Sequence, residues 1–343
     1  MLASLLVLGT GCGSKHHIAR CQWLTMGTIA AVQASTQEEA QRARDCVQPI
    51  FTQINARFST WQEETELSAI NRAAGTEAPT ALSPELQTVM LAALNMSRDS
   101  EGAFNPLVGS LMAAWGFGDA ATPPEPPSQD ALQAATLLAD WRAIQFNAET
   151  RPCTLYLPRK GMKLDLGAIA KGYAVDIAYE KLAQAGYTNV LIDLGGNLRA
   201  IGEAASGRGG WRTGIRNPFA EEICIAQFLL TNGEAVATSG NYERFVEINN
   251  IRYAHIMDAR TGRPVRGMAG VTVIAPSAML ADALSTTLFV LGAEKGRELL
   301  KRYPNCEAIW ILDTPEQVTL ICTPLIAKRL TPTGADPLNI NVL

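Results

Sequence analysis

The segment Lys163–Asp176 constrains the fold of this chain more than any other. An apolar run passes through Asp165 into Gly167, and a helical pattern follows at once. The pattern predicts a short strand that turns at the glycine and opens a helix over residues 168–185, ending at Gly186. Helix N-termini expose unpaired N–H groups and the positive end of the helix dipole. The segment therefore predicts a site that can bind an anion such as phosphate.

Two charged residues of this segment are candidate binding residues. Lys171 lies one turn inside the predicted helix, where its ammonium group could meet an anion. Asp165 precedes the turn, where its carboxylate could accept hydrogen bonds from a ligand ring or cap the helix. An ordinary capped helix with a surface lysine explains the same residues. Taken alone, the segment is neither a Walker loop nor a GxGxxG loop.

A second candidate site lies in the segment Leu280–Thr287. On a helix, Asp282, Ser285 and Thr286 project from one face because they stand at positions i, i+3 and i+4. Carboxylate, hydroxyl and carbonyl oxygens suit a hard cation such as Mg²⁺. The alternative is structural: the helix dipole favours an aspartate near a helix start, and the hydroxyls could pack back on carbonyl groups.

His255 is the one histidine outside the N-terminal region. It ends a predicted strand and enters a turn rich in glycine and proline, where catalytic side chains are often found. Histidine titrates near neutral pH and can move a proton. A lone histidine is more often structural, and the neighbouring polar residues Asp258 and Thr261 favour the catalytic interpretation.

The remaining patterns predict an α+β protein. Further helices are expected over residues 37–56, 85–98 and 277–290, the second after the N-cap pair Ser83-Pro84. Hairpin-like strand pairs fill the spaces between them rather than a strict β-α-β alternation. The strands are expected over residues 28–33, 155–157, 189–193, 198–202, 211–215, 244–248 and 270–274. No segment resembles an interdomain linker, so a single compact domain is expected over residues 21–343.

Composition excludes some classes of function. The formal net charge is −4 and no long basic run exists, which disfavours nucleic-acid binding. The six cysteines after Cys12 are widely and irregularly spaced without a CxxC pair, which makes a zinc cluster improbable. Most of these cysteines are expected to be buried apolar residues.

The N-terminal residues 1–20 are expected to be a signal segment. Leu2–Gly11 is a short apolar run ending at Cys12, which resembles the end of a bacterial lipoprotein signal. No Lys or Arg precedes the run, and Gly9 stands where leucine is usual; a start placed too far downstream would explain the missing basic end. The expected location is the periplasmic side of the bacterial inner membrane, with a lipid anchor at Cys12. A cytoplasmic N-terminus is the alternative.

Several glycine-rich turns complete the set of motifs. The segments Thr25–Thr28, Trp115–Gly118, Asp193–Asn197 and Ala237–Tyr242 are compact and polar or aromatic. Glycines let the backbone approach a flat ligand, and aromatic rings can stack on it. Each of these segments is equally well explained as a structural turn.

Together and in this order, the motifs resemble the ApbE family over most of the chain, from about Thr25 to about Gly292. The matching segments are Thr25–Thr28, Phe58–Trp61, Glu66–Asn71, Gly102–Gly109, Trp115–Gly118, Asp165–Asp176, Asp193–Asn197, Ala237–Asn241, His255–Gly262 and Ala281–Thr287. Two residues depart from the family pattern. Asn105 stands where aspartate is common, and Trp61 stands where tyrosine is frequent, so contacts to a ligand ring could differ.

The resemblance implies a fold, an activity and a set of site residues. The fold is an α+β body of two similar, intertwined halves with FAD in the cleft between them. The activity is Mg²⁺-dependent transfer of the FMN half of FAD to a Thr or Ser hydroxyl of a partner flavoprotein, with release of AMP. The partner would be a subunit of a membrane redox complex of the Nqr or Rnf type. The residues implied to contact FAD are Met26, Trp61, Ala103, Phe104, Asn105, Asp165, Lys171 and Ile256.

The resemblance also implies the metal ligands and the catalytic groups. Ala168, through its carbonyl, would bind Mg²⁺ with Asp282, Ser285 and Thr286, and His255 and Asp282 would be catalytic. Three other functions stay open: an enzyme that hydrolyses FAD to FMN and AMP, a periplasmic lipoprotein that binds FAD without reaction, and a generic solute-binding lipoprotein. Asp282, Thr286 and His255 argue against simple storage, which needs neither a metal site nor a base.

Overall fold

The computed structural model describes residues 18–76, 78–117, 125–204, 208–249, 251–334 and 338–343. Its helices are α1 Gln37–Phe58, α2 Glu66–Arg72, α3 Pro84–Asp99, α4 Gly109–Ala114, α5 Gln129–Leu138, α6 Ala170–Gln184, α7 Ala278–Leu300 and α8 Pro324–Arg329. Its strands are β1 Ala19–Thr25, β2 Thr28–Ala34, β3 Thr80–Ala81, β4 Gln145–Asn147, β5 Thr154–Tyr156, β6 Val190–Leu194, β7 Asn197–Ile201, β8 Trp211–Asn217, β9 Ala220–Leu230, β10 Ala235–Gly240, β11 Phe245–Ile248, β12 Ile251–Ala254, β13 Met257–Asp258, β14 Arg263–Pro264, β15 Met268–Ala275, β16 Glu307–Leu312, β17 Thr319–Cys322, β18 Thr331–Pro332 and β19 Asn339–Val342.

A nine-stranded sheet in the order β1-β2-β6-β7-β10-β15-β16-β17-β19 is the centre of the molecule. Neighbouring strands are antiparallel except β17 and β19, which are parallel. Strands from the first part of the chain, β1, β2, β6 and β7, meet strands from the second part where β7 pairs with β10. The predicted α+β class is confirmed, and residues from both parts of the chain share one sheet.

The sheet is buried on both faces. Alternate residues of a strand point to opposite faces, so in β15 Val271 and Val273 join the core under the helices whereas Ile274 joins the core on the other side. Helices α1, α6 and α7 cover the first face. The second face packs with Trp211 and Phe228, which lie in the β8–β9 hairpin. This two-sided burial explains why β6 and β15 are almost wholly apolar, with Asp193 and Thr272 as their buried polar residues.

Side-chain caps set the helix starts. Ser83 Oγ accepts from the Leu86 amide (3.2 Å), which confirms the predicted N-cap before Pro84. Thr36 and Ser277 cap α1 and α7 in the same way. The predicted end of the last long helix is confirmed: Gly292, with φ of 72°, is non-helical and ends the first helical stretch of α7, and a second stretch beyond this kink runs to Leu300.

Two predictions were wrong. The segment predicted as a polar turn over residues 237–242 is mainly strand β10, which is hydrogen-bonded between β7 and β15. The segment before Gly167 is extended but pairs with no strand among the described residues; instead, the side-chain amide of Asn71 donates to the Leu164 carbonyl (3.0 Å) and accepts from the Leu164 amide (2.7 Å). An isolated side chain thus replaces a strand neighbour there.

The N-terminal prediction is only partly within the structure. Ala19 and Arg20, at the end of the predicted signal segment, already belong to β1. Residues 1–17, with Cys12, lie outside the described residues, as do Gly118 and residues 119–124. In the part of the chain that the structure describes, no helix has the length and apolar character needed to cross a membrane. The six remaining cysteines are free thiols, four of them buried.

Candidate active site

The first turns of α6 and α7 are held together by two aspartates. The Asp176 carboxylate of α6 accepts from the amides of Ala278 (2.7 Å) and Met279 (2.9 Å), the first two residues of α7. In return, the Asp282 carboxylate of α7 accepts from the Gly172 amide of α6 (2.9 Å). Each helix therefore supplies a carboxylate that accepts from backbone amides near the start of the other helix. These hydrogen bonds fix the position of α6 relative to α7.

Close contact between the two helices depends on Gly172. A Cβ atom at this position would lie 2.2 Å from the Ala278 carbonyl oxygen. No side chain fits in that space, so glycine lets the two backbones meet. Sequence analysis gave Gly172 no such role; the close approach that it predicted was of Gly167 to a ligand, and that stays a prediction.

Asp176 also carries an ion pair. Arg199 of β7 donates to its carboxylate (2.7 Å) and stacks over the ring of Tyr179, with 3.8 Å from the guanidinium carbon to the ring centroid. Burial raises the pKa of Asp176, and the arginine and the two amides of α7 act in the opposite direction. Sequence analysis gave Asp176 no role, although it ended the strongest motif.

Asp282 is a buried carboxylate beside a lysine. It is 3% exposed, and Lys171 Nζ lies 3.4 Å from Asp282 Oδ1 and 3.2 Å from the Gly167 carbonyl oxygen. A buried carboxylate requires a cation or hydrogen-bond donors near it. The structure thus brings together two predicted site residues that are more than a hundred positions apart in the sequence.

Hydroxyl groups from a strand and a helix extend this site. Ser239 Oγ of β10 lies 2.8 Å from Ser285 Oγ and 3.0 Å from Thr286 Oγ1 of α7. Ser285 Oγ also donates to the Asp282 carbonyl (2.9 Å). Sequence analysis noted the motif around Ser239 but missed this residue as a candidate, because the motif was interpreted as a turn. A hydroxyl residue in an otherwise small and apolar strand was the available signal.

The turn before α6 presents a further oxygen. The Gly172 amide, which in an uninterrupted helix would donate to the carbonyl four residues earlier, donates to Asp282 instead, and this spares the Ala168 carbonyl. Asp165 Oδ1 accepts from the Gly167 amide (2.8 Å) and shapes this turn; it does not cap α6, whose N-cap is Ile169 without a side-chain hydrogen bond, and its predicted contact with a ligand ring stays a prediction. The Asp165 amide donates to the Pro106 carbonyl (2.8 Å) and ties the turn to the residues after Asn105.

The donor atoms of the site fit a hard cation. The oxygens that the structure brings together are those of Asp282 and the hydroxyls of Ser239, Ser285 and Thr286; that the Ala168 carbonyl joins them stays a prediction. Within the described residues, no cluster of three or more His, Cys, Asp or Glu side chains forms a metal site. A single carboxylate with neutral oxygens is typical of Mg²⁺, which keeps several waters and binds together with substrate phosphates. The set is unsuited to Zn²⁺, which prefers sulfur and nitrogen ligands.

His255 directly follows β12 and is fixed by the main chain of Arg244. The Arg244 carbonyl lies 3.1 Å from the His255 amide and 3.0 Å from Nδ1. Because a carbonyl only accepts, Nδ1 carries the proton and Nε2 has the lone pair. Burial lowers the pKa of His255 to about 4, and the positive charges of Arg244 and Lys171 add to the effect. His255 is therefore neutral at pH 7 and able to accept a proton.

We expect His255 to make stability depend on pH. Its pKa in the folded protein lies below the value of about 6.5 for an unperturbed histidine, so the unfolded chain binds the proton more tightly. The free energy of unfolding should fall by about 1–3 kcal/mol between pH 6.5 and pH 4 through this group. Urea unfolding of the wild type and His255→Gln at pH 7 and pH 4.5 tests this. An equal pH dependence in both proteins would contradict the expectation.

The residues implied to bind FAD fall into two groups. Trp61 is 62% exposed, and the Arg244 guanidinium carbon lies 5.1 Å from its ring centroid. Trp61 therefore contacts the residue whose carbonyl fixes His255. Met26, with φ of 48°, lies in the turn between β1 and β2. Trp61 is thus exposed at the surface, and Met26 is half-buried near it. Met26 packs against the main hydrophobic core, and its contact with FAD stays a prediction.

Four other implied FAD residues are buried, whereas Asp165 and Lys171 are half-buried at the α6 turn. Ala103, Phe104 and Ile256 are each less than 5% exposed. Asn105 uses both ends of its side-chain amide inside the protein, donating to the Ala139 carbonyl (2.7 Å) and accepting from the Leu107 amide (2.8 Å). The structure gives these four side chains a role in packing and in holding the loop. Their contacts with FAD stay a prediction.

Comparisons with known proteins agree on one family. The model described as the ApbE family matches residues 26–310. A curated relative from Treponema pallidum, named FAD:protein FMN transferase, is 34% identical over 89% of this chain and 88% of its own length. One from Haemophilus influenzae with the same name is 31% identical over 95% of this chain and 91% of its own length.

Solved structures show the same likeness. The crystal structure of the ApbE protein of Thermotoga maritima superposes with a TM-score of 0.81 at 28% identity, covering 91% of this chain and 99% of that one. The flavin transferase ApbE of Vibrio cholerae superposes with a TM-score of 0.78 at 27% identity, covering 91% of this chain and all of the other.

Proposed function

The chain belongs to the ApbE family, and from this membership we propose that it is an FAD:protein FMN transferase. FAD would be its substrate, and a second protein would accept the FMN half on a Thr or Ser hydroxyl. The observation that carries the proposal is the joint site at the starts of α6 and α7. There, Asp282, Lys171 and a set of hydroxyls surround a helix N-terminus suited to phosphate.

The proposed reaction is a displacement at phosphorus. The acceptor oxygen forms a bond to the FMN-side phosphorus, the bond from this phosphorus to the bridging oxygen of the diphosphate breaks, and AMP leaves. The proton of the acceptor hydroxyl must go to a base. Neutral His255 has the lone pair on Nε2 that this role requires, because its Nδ1 donates to the Arg244 carbonyl. The pKa lowered to about 4 keeps the ring neutral at pH 7 but makes it a weaker base than an unperturbed histidine. Such transfers depend mainly on positioning and on stabilising charge.

The ligands of the proposed magnesium ion are the Ala168 carbonyl, Asp282, Ser285 and Thr286, with Ser239 as an additional hydroxyl. When bound, Mg²⁺ would neutralise negative charge on the phosphoryl oxygens. Lys171 contributes a positive charge next to Asp282. The positive end of the α6 dipole would add to the attraction for the diphosphate, although the Gly167, Ile169, Ala170 and Gly172 amides at this start already donate within the protein. Asp176 fixes α7, and thereby Asp282, against α6.

A labelling experiment tests the proposed function. The protein is mixed with FAD, Mg²⁺ and a candidate acceptor, and covalent flavin is detected as yellow fluorescence in a denaturing gel. We expect a fluorescent acceptor band and one AMP per flavin attached. Rapid release of AMP without acceptor would instead favour FAD hydrolysis. FAD that stays unchanged for hours with Mg²⁺ and acceptor would favour a binding protein.

The proposal extends to the acceptor and to the location. We propose that the acceptor is a flavoprotein subunit of a membrane redox complex of the Nqr or Rnf type, and that the enzyme works on the periplasmic side with a lipid anchor at Cys12. The apolar run that ends at Cys12 supports an anchor. Fractionation of cells that produce the wild type or Cys12→Ala tests it: the wild type should sediment with membranes and the variant should not.

A further inference from the structure

The hairpin formed by β11 and β12 lies directly before His255 and has one free face. In the described part of the chain, the two strands pair only with each other. Ile248 is buried, and Tyr253 packs on Trp115, with 5.2 Å between the ring centroids. Side chains alternate along a strand, so the opposite face of the hairpin presents Phe245, Glu247 and Arg252 to solvent. We call these three residues the outer hairpin face.

The outer hairpin face has the composition of a recognition surface. Phe245 is 41% exposed, and the guanidinium carbon of Arg252 lies 4.6 Å from its ring centroid. Aromatic residues and arginines are enriched where proteins bind one another, and they contribute much of the binding energy. Glu247 lies 3.9 Å from Arg252, a long and exposed ion pair that holds the arginine only weakly.

Charge around the hairpin differs in sign from the rest of the chain. Residues 243–266 contain five arginines and three acidic residues, a formal charge of +2, whereas the whole chain carries −4, so the remaining residues carry −6. The arginines at 244, 252, 263 and 266 are exposed. A basic surface on an acidic protein attracts acidic partners and repels basic ones.

The position of this surface fits the acceptor rather than another protein. Arg252 stands three residues from His255, a distance of about 10 Å along an extended strand. Phe245 follows Arg244, whose carbonyl holds the His255 ring. The side chain of His255, an odd number of residues from Arg252, points to the opposite side of the hairpin. An acceptor segment bound on the outer hairpin face would therefore reach the proposed base by passing around the end of β12.

We propose that the outer hairpin face is the docking surface of the acceptor protein, and that it binds an acidic segment close to the accepting Thr or Ser. The inference rests on the proposed function, since it names the surface on which the partner of that reaction binds. Phe245 supplies the apolar contact, and Arg252 pairs with a carboxylate of the acceptor.

The test compares Arg252→Glu and Phe245→Ala with the wild type in the full chain. Initial labelling rates are measured against acceptor concentration at saturating FAD and Mg²⁺. We expect kcat/KM for the acceptor to fall about tenfold in each variant, through a higher KM. The Kd for FAD, measured by flavin fluorescence, should stay within twofold. Rising salt should raise KM for the wild type and have less effect on Arg252→Glu, because the screened attraction is already lost.

The matched control is Arg297→Glu, which makes the same charge change at an exposed position of α7. It should label the acceptor like the wild type. Equal losses in Arg252→Glu and Arg297→Glu would overturn the inference, because net charge alone would explain them. An unchanged kcat/KM in Arg252→Glu would also overturn it.

Two further measurements separate other ligands from the acceptor. A weaker Kd for FAD in Arg252→Glu would show that the arginine binds the nucleotide. Loss of binding to phosphatidylglycerol vesicles with unchanged kcat/KM would show that it binds a membrane. Either result overturns the inference. Restored labelling when a carboxylate of the acceptor is changed to lysine and combined with Arg252→Glu would support it. If the wild type labels no acceptor, the proposed function fails first; if it labels and both variants match it, only the docking surface is wrong.

Discussion

Asp282→Asn is expected to reduce FMN transfer at least 100-fold. The substitution removes the one carboxylate among the proposed Mg²⁺ ligands, so stabilisation of phosphoryl charge is lost. The asparagine side-chain oxygen can still accept from the Gly172 amide, which Asp282 does at 2.9 Å. The fold should therefore persist. Transfer rates with a candidate acceptor, and Mg²⁺ binding by calorimetry in the presence of FAD, measure the effect.

The control for this prediction is Asp313→Asn, a substitution of the same chemistry at an exposed loop position. It should leave both transfer and Mg²⁺ binding unchanged. Near wild-type transfer by Asp282→Asn, with thermal stability also unchanged, would remove Asp282 from the metal site. Loss of transfer with intact Mg²⁺ binding would place its role in orientation of the α6 turn instead.

Gly172→Ala is expected to destabilise the protein by about 2–3 kcal/mol, as overpacking does in a tight interior. In an exposed helix the same change would stabilise by about 1 kcal/mol. Here the added methyl group would lie 2.2 Å from the Ala278 carbonyl oxygen, so α6 and α7 must move apart. That movement also lengthens the hydrogen bond from the Gly172 amide to Asp282. Urea unfolding measures the stability, and labelling measures the expected loss of transfer.

Gly270→Ala is the matched control, because its added methyl group would meet Ile311 Cδ1 at 3.6 Å, an ordinary contact. It should unfold within about 1 kcal/mol of the wild type. If Gly172→Ala were as stable and as active as Gly270→Ala, the close approach of the two helix starts would have no part in holding the site.

Local patterns predicted much of the fold because they depend on neighbouring residues. The Ser83-Pro84 cap, the helix after Gly167 and the apolar strands β6 and β15 were predictable from capping, periodicity and apolar runs. The motif around Ser239 was not, since its glycine and hydroxyls are typical of a turn. It forms the second half of strand β10 because β15 pairs with it, with Ser239 opposite Val271, whereas β7 pairs only with the preceding residues Ala235 and Val236.

The site shows the same division. Sequence motifs identified Asp282, Ser285, Thr286, Lys171 and His255 as candidates. They did not identify Ser239 as the partner of two of these hydroxyls, nor Asp176 as the carboxylate that holds α7. Both contacts join residues far apart in the chain, and spacing along the sequence carries no information about them.

By itself, the sequence determined which residue types are available: a glycine that admits close backbone contact, a helix start with the positive end of its dipole, oxygen ligands on one face of α7, and a histidine after a strand. These properties are local, because they follow from backbone conformation and side-chain chemistry. Only the tertiary structure decided that Asp176 and Asp282 each hold the other helix, that Lys171 lies at 3.4 Å from Asp282, and that burial lowers the pKa of His255. These depend on distance and desolvation, which arise when separate parts of the chain pack together.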